Sequence, residues 1–271
     1  MLRSMQEALR LALPFQFRSR SVGSAVVSRQ PWEDSQNRNC YNAIASEYAE
    51  PDHETCREFD RATAQLCSKL APYLERFGVG FRYLDVGVGH GVTLKALTEP
   101  LLRLKAKVDV LDISEGMLSE LEHRVEVPIC NSYCQSVYDF HAHGAYDVIV
   151  ASMADPYLRP AALENLSRAL TTPGLLVISC PAPEWANSVR APTEREIACF
   201  RTRTGTRVHS LSVCPQRVEL EDYLLERGIK PLERMIISIS RANDSGQQSN
   251  WAEHHSDARL PFYQGWIFER T

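Results

Sequence analysis

Phe81-Arg-Tyr-Leu-Asp-Val-Gly-Val-Gly-His-Gly91 is the stretch whose reading decides the fold. It begins apolar, as a strand buried on both faces does. It then breaks into Gly87, Gly89 and Gly91, alternating with single residues, before Val92-Thr-Leu-Lys-Ala-Leu97 opens a helix. Strand, glycine turn and helix make the first half of a βαβ unit. A glycine turn lets a ligand lie against bare backbone. The free N–H groups at the helix start point at the same place. The pattern predicts a nucleotide-type pocket at the carboxyl end of a strand.

The dinucleotide fingerprint is Gly-x-Gly-x-x-Gly. Here the third glycine comes one residue early, and position 92 is Val. Lys107-Val-Asp-Val-Leu-Asp112 reads as the next strand, ending in an acid 21 residues beyond Gly91. That is close to the spacing at which a carboxylate meets a ribose in a βαβ nucleotide site. One carboxylate accepts from two hydroxyls at once. Ser114 is placed to cap a helix over Glu115–Arg124. If Asp112 serves a ribose, its loss weakens cofactor binding and leaves fold stability nearly alone. If it is only a cap or turn acid, the reverse holds.

Asp85-x-Gly87-x-Gly89-x-Gly91 resembles the first motif of the class I S-adenosylmethionine-dependent methyltransferases. Ile113-Ser-Glu-Gly-Met117 resembles that family's segment after the ribose acid, with Met near the adenine. Asn39-Cys-Tyr-Asn-Ala-Ile-Ala-Ser-Glu-Tyr48 is similar to its entry segment. The resemblance covers residues 39–271. It implies an α/β, Rossmann-like, seven-stranded, mostly parallel sheet with helices on both faces and a C-terminal antiparallel hairpin. It implies S-adenosyl-L-methionine as cofactor, bound by Asp85, Gly87, Val88, Gly89, Gly91, Asp112, Ile113, Met117, Gln135, Ser136 and Ser152. Family members often carry Asp after the third strand, where Cys134-Gln135-Ser136 stands here. Gln135 keeps an acceptor oxygen and loses the charge, a departure at the adenine contact. The turn Ser152-Met-Ala-Asp-Pro-Tyr157 is placed at the cofactor's sulfur and the substrate. Asp155-Pro-Tyr157 lacks the second Pro of the amino-methylating Asx-Pro-Pro-Tyr motif, so Asp155 is read as a loop acid starting a turn.

Working outward, residues 1–38 read as an N-terminal arm. Residues 1–30 hold five Arg and one acid, Glu7, a composition shared by mitochondrial targeting segments, but no clear cleavage signal is present. The reading preferred is a mobile arm or a capping helix. Asp52–Leu74 reads as a helix covering one sheet face, with Phe59, Ala62, Leu66 and Leu70 at helical spacing and Pro72 at its end. Val127–Tyr133, Ala145–Ser152 and Leu175–Ser179 read as strands, Ala161–Leu170 as a helix, and Pro173-Gly174 as a turn. Residues 181–215, with four Pro, Trp185 and the run Arg201-Thr-Arg-Thr-Gly-Thr-Arg207, read as a substrate-covering insertion. Glu219–Arg227 is a helix closed by Gly228, and Glu233–Ser240 and Phe262–Glu269 are strands. His141, His143, His254 and His255 are read as surface residues.

The chain has 271 residues, 44% hydrophobic, with a net charge of −4 and pI about 6.1. No apolar run approaches the roughly eighteen residues of a membrane helix. No basic surface is forced by composition, which makes nucleic acid an unfavoured partner. Eight Cys without a CxxC pair indicate neither a metal site nor a disulfide scaffold. Free thiols fit a reducing cytoplasmic setting. The function expected is in-line methyl transfer to a small-molecule acceptor. The alternatives are a protein or RNA methyltransferase, or a cofactor-binding protein of the same fold without methyl transfer. No catalytic base is nominated. Tyr41, Tyr48, Tyr157 and Trp185 are the substrate-pocket candidates.

Overall fold

The apolar run before the glycines forms β1 (Arg82–Val86), an interior strand of a seven-stranded sheet. The computed structural model describes residues 31–48, 54–239 and 260–271. Residues 1–30 and the polar segment with His254 and His255 lie outside the described residues. Parallel ladders join β1 to β2 (Lys107–Asp112) and to β4 (Tyr146–Ser152), β2 to β3 (Ile129–Cys134), and β4 to β5 (Leu170–Pro181). β9 (Leu260–Arg270) runs antiparallel between β5 and β8 (Ile229–Ile239). The order β3-β2-β1-β4-β5-β9-β8 reverses direction between β1 and β4, which puts a ligand crevice at their carboxyl ends.

Side-chain alternation along the strands makes two cores. On one face Tyr83, Val108, Val110, Val148, Val150 and Val177 pack beneath α2 (Glu54–Leu74), α3 (Val92–Ala96) and α4 (Thr98–Arg103). Phe59, Ala62, Leu66 and Leu70 are all buried there, as their spacing predicts. On the other face Leu84, Val86, Leu111, Ile149, Leu176 and Trp266 pack against α6 (Pro160–Ala169) and α8 (Arg217–Leu225). The short α5 (Glu115–Leu121) follows β2, with Ser114 Oγ accepting from the Met117 N–H at 3.1 Å.

Several boundaries differ from expectation. Pro72 lies inside α2 rather than at its end, because Leu74, fully buried, carries the helix onward. The helix after the glycine turn breaks at Leu97 into α3 and α4. Pro173 and Gly174 sit within β5, which starts at Leu170 and takes up a register shift against β4 between Tyr146 and Val148. The lead-in helix α1 (Pro31–Tyr48) begins inside the segment read as an arm. Residues 181–215 carry regular structure: α7 (Pro183–Val189), then β6 (Ile197–Arg201) and β7 (Arg207–Leu211), paired as a separate two-stranded sheet. Phe200 and Val208 on one face of that hairpin were screened in the sequence by the Arg and Thr residues beside them.

Candidate active site

The carboxyl ends of β1, β2 and β4 open into a cleft that communicates with solvent, in the position where open α/β sheets bind ligands. Its near wall is the glycine turn. Gly87 has φ +62°, and a Cβ there would come within 2.9 Å of the Ala154 Cβ, so only glycine fits. Asp112, buried at the end of β2, accepts from the Gly89 N–H at 3.0 Å through one oxygen and from the Ser114 N–H at 2.9 Å through the other. The Ile113 N–H acts on the same carboxylate, whose remaining acceptor capacity is open to a ligand in the cleft. Burial pushes the Asp112 carboxyl up to about 6, against the pull of these backbone donors. Asp85 is 1% exposed, accepts from the Thr93 hydroxyl, and is pushed up to about 8, chiefly by burial.

The floor is a chain of hydroxyls from three elements. Thr63 Oγ1 lies 3.1 Å from Ser152 Oγ, which lies 2.7 Å from Ser179 Oγ. The Met153 N–H donates to the Ser179 carbonyl at 2.9 Å. This bond helps hold Met153 at φ 52°, a left-handed backbone that is costly for a side-chain-bearing residue and concentrates at functional sites.

The roof is aromatic. Tyr41 and Tyr48 of α1 meet edge-on at 6.3 Å, and Phe200 of β6 packs on both at 6.0 Å. Polar contacts fix these pieces together. Asn42 Oδ1 accepts from Ser114 Oγ at 2.7 Å and the Gly116 N–H at 3.0 Å, docking α1 on α5. Asn37 Oδ1 accepts from the Leu211 N–H at 2.8 Å and Ser210 Oγ at 3.2 Å, docking the hairpin on α1. The Arg203 N–H at the hairpin tip donates to Glu47 at 2.8 Å. Helix and hairpin form one cover.

Among the sequence candidates, Asp85, Gly87, Val88, Gly89, Asp112, Ile113, Met117, Ser152, Tyr41, Tyr48 and Tyr157 line the cleft. Gly91, Gln135, Ser136 and Trp185 do not. Gly91, at φ +79°, would put a Cβ 2.6 Å from Leu121 Cδ1 and Val125 Cγ1, so its place is the packing of the next segment. Gln135 donates its N–H to the Asp112 carbonyl at 3.0 Å, and Ser136 Oγ accepts from the Tyr138 N–H at 3.3 Å. Trp185 packs edge-on against Phe59 and Phe262 at 5.3 and 5.2 Å, behind the wall. Asp155 starts the turn Asp155–Tyr157, as its place before Pro156 predicts, and it is also buried: it is 6% exposed and pushed up to about 6 by burial, opposed by Ser212 and Arg190. The insertion residues folding over it could not be placed from local sequence. Cys56, Phe59, Asp60, Thr63, His90 and Met153 also line the cleft and were not singled out. Of the α2 residues, Phe59 belongs to the stripe that reads as core, and Cys56, Asp60 and Thr63 carry no local signal. His90 had a local signal, since it stands between two glycines of the turn.

A family model described as a methyltransferase domain matches residues 84–174. A search of curated proteins finds no matching sequence. Similar solved structures include magnesium protoporphyrin IX methyltransferase from Synechocystis with bound S-adenosylhomocysteine. It is 14% identical at a TM-score of 0.55, over 88% of this chain and 100% of that one. A second is 1,6-didemethyltoxoflavin-N1-methyltransferase from Burkholderia thailandensis, 13% identical at a TM-score of 0.51, over 92% of this chain and 93% of that one. Glycine turn, strand order and family match converge: the chain has the class I, Rossmann-like S-adenosylmethionine-dependent methyltransferase fold, and its residues 84–174 match a methyltransferase domain.

Proposed function

We propose that this protein binds S-adenosyl-L-methionine in the cleft and transfers its methyl group to a small, neutral acceptor held under the α1–hairpin cover. The observation that carries the cofactor is Asp112, preset by backbone donors at the end of β2 and lining the cleft wall. Two ribose hydroxyls are its complement. Among the described residues, Asp60, Asp85 and Asp112 line the cleft and no Lys or Arg does, which suits a ligand bearing a sulfonium and an ammonium. Ile113 and Met117 offer an apolar bed for the adenine, and Ser152 lies at the floor beneath the reacting groups. When bound, the cofactor supplies a methyl group on a positively charged sulfur that needs no further activation. The work left to the chain is positioning and exclusion of water.

The cover supports a small acceptor over a protein or RNA. Phe200 faces Tyr41 and Tyr48, and Arg201, the next residue on the strand, therefore faces the other way. Its ladder partner Arg207 shares that outer face, and both are exposed. The basic pair points away from the cleft. Magnesium protoporphyrin IX and 1,6-didemethyltoxoflavin, named for the two similar enzymes, are small molecules. All eight cysteines are free, which fits a reducing, cytoplasmic compartment. Among the described residues, no helix is long and apolar enough to cross a membrane.

Thermal shift with S-adenosylmethionine, S-adenosylhomocysteine and NAD tests the cofactor. The two adenosyl ligands stabilise the protein by about 2.7 kcal/mol at a hundredfold excess over Kd. A shift with NAD alone overturns the proposal. Mass spectrometry of a metabolite mixture incubated with the enzyme then finds an acceptor gaining one CH2.

A further inference from the structure

Among the described residues, His90 is the one lining the cleft that can carry a positive charge, and it has a poised geometry. Its ring is 6% exposed, wedged between the glycine turn and the two N-terminal helices. Nε2 lies 3.1 Å from Asp60 Oδ2 on α2. Tyr48 of α1 packs its ring edge-on at 5.4 Å. Nδ1 is buried and has no hydrogen-bond partner. An ionised carboxylate only accepts, so Nε2 carries the hydrogen toward Asp60. In the neutral ring Nδ1 is then a bare lone pair with no donor to it among the described residues. A buried acceptor left unmatched is costly, and such groups persist where a ligand completes them.

We propose that His90 is the general base of this site, taking a proton from the phenolic hydroxyl of a neutral aromatic acceptor, with Asp60 as its positioning residue. This rests on the methyl-transfer reading above. An anionic acceptor is disfavoured in a cleft walled by the carboxylates of Asp60 and Asp112, and the aromatic rings of Tyr41, Tyr48, Phe59 and Tyr157 suit a flat, apolar skeleton. An amine reacts through its own lone pair, whereas a neutral hydroxyl is a poor nucleophile until its proton leaves. As the acceptor oxygen bonds to the methyl carbon, the carbon–sulfur bond breaks with its electron pair going to sulfur, and the hydroxyl proton passes to Nδ1. The imidazolium so formed faces the Asp60 carboxylate. The proton leaves Nδ1 to water once the product departs, which restores the starting tautomer, while Asp60 holds the hydrogen on Nε2.

Two measurements test this. The first is nitrogen NMR of the full-length, 15N-histidine-labelled protein with S-adenosylhomocysteine bound. The expected His90 tautomer has Nε2 protonated and Nδ1 bare, and Asp60→Asn shifts that balance. The tautomer is read on the unmutated protein, so it does not depend on any variant folding. The second is single-turnover methyl transfer to phenol and to 4-nitrophenol, the latter largely ionised under mildly alkaline assay conditions. His90→Gln is expected to slow transfer to phenol on the order of 10²–10⁴-fold and transfer to 4-nitrophenol far less. Affinity for S-adenosylhomocysteine is expected to stay within about threefold of the parent, well under a decade. A ring protonated at Nδ1, or a loss of cofactor affinity as large as the loss of rate, overturns the base. Parent protein that binds cofactor yet methylates neither probe overturns the phenolic acceptor. Parent protein that binds no cofactor removes the methyl-transfer reading itself.

Discussion

The backbone N–H of Gly89 donates to the carboxylate of Asp112 at 3.0 Å, across 23 residues of sequence. The glycine turn after β1 and the acid ending β2 are one unit. With the Ser114 N–H on the other oxygen at 2.9 Å, Asp112 braces two loops and faces the cleft at the same time. The two roles that sequence sets against each other, ribose acceptor and turn acid, are both open to it.

Asp112→Ala is accordingly expected to change two quantities. Cofactor affinity falls ten- to a hundredfold, the worth of a charge-assisted hydrogen bond. Stability without ligand falls by about 1–3 kcal/mol, because two backbone donors lose their partner. Calorimetric titration and denaturant unfolding measure the two separately. Unchanged affinity would refute the ribose role whatever the stability shows.

Burial raises the carboxyls of Asp85, Asp112 and Asp155 to about 8, 6 and 6. A carboxyl whose folded value exceeds its unfolded one binds its proton more tightly when folded. Its stabilising contribution is full below the unfolded value near 3.8 and is lost as pH rises through the folded value. The ligand-free protein is expected to lose stability from pH 4 toward pH 8, by up to about 1.4 kcal/mol per pH unit for each proton involved. Asp85→Asn, still able to accept from Thr93, flattens the upper part of that curve between pH 6 and 8. Melting temperatures across the range decide it, and a parent curve that climbs steadily to pH 8 contradicts it.

The cover invites a narrow deletion. Cutting the whole of residues 181–215 would damage the sheet, since Pro181 pairs with Tyr263 and the Pro215 carbonyl accepts from Gln264 at 2.9 Å. Replacing residues 198–210 with a short Gly-Ser linker spares both. If the hairpin closes over the acceptor, cofactor affinity changes less than about tenfold while transfer falls by about a hundredfold or more. Equal losses of both would make the hairpin structural.

Gly91→Ala tests the third glycine. Its left-handed backbone and the 2.6 Å approach to Leu121 and Val125 make any side chain a strain. A destabilisation of about 1–3 kcal/mol is expected, with cofactor affinity per folded molecule close to that of the parent. A large affinity loss in a protein of normal stability would return Gly91 to the cofactor.

Residues that act through neighbours a few positions away are legible in the chain. The run 81–97 specifies strand, turn and helix because apolar burial, glycine backbone and helix start each act within a few residues. Ser114 caps its helix for the same reason. Asp112 is legible too, because a βαβ unit has a nearly constant length between its turn and the end of its second strand. The alternation along five parallel-type strands and the α2 stripe at 59, 62, 66 and 70 sort into two cores without outside help.

What only the tertiary structure decides is which distant side chains meet across the cleft. Asp60 is an unremarked polar residue on an amphipathic helix until α2 packs beside the glycine turn and brings it 3.1 Å from His90. Phe200 reads as part of a charged loop until the hairpin turns it onto Tyr41 and Tyr48. Trp185, an obvious aromatic, goes behind the wall with Phe59 and Phe262 instead of into the pocket. Asp155 becomes a buried acid because residues some 55 positions later fold over it. Local sequence encodes backbone conformation and which face of an element is apolar. The partner across a cleft depends on the packing of whole elements, and no short-range pattern carries that information.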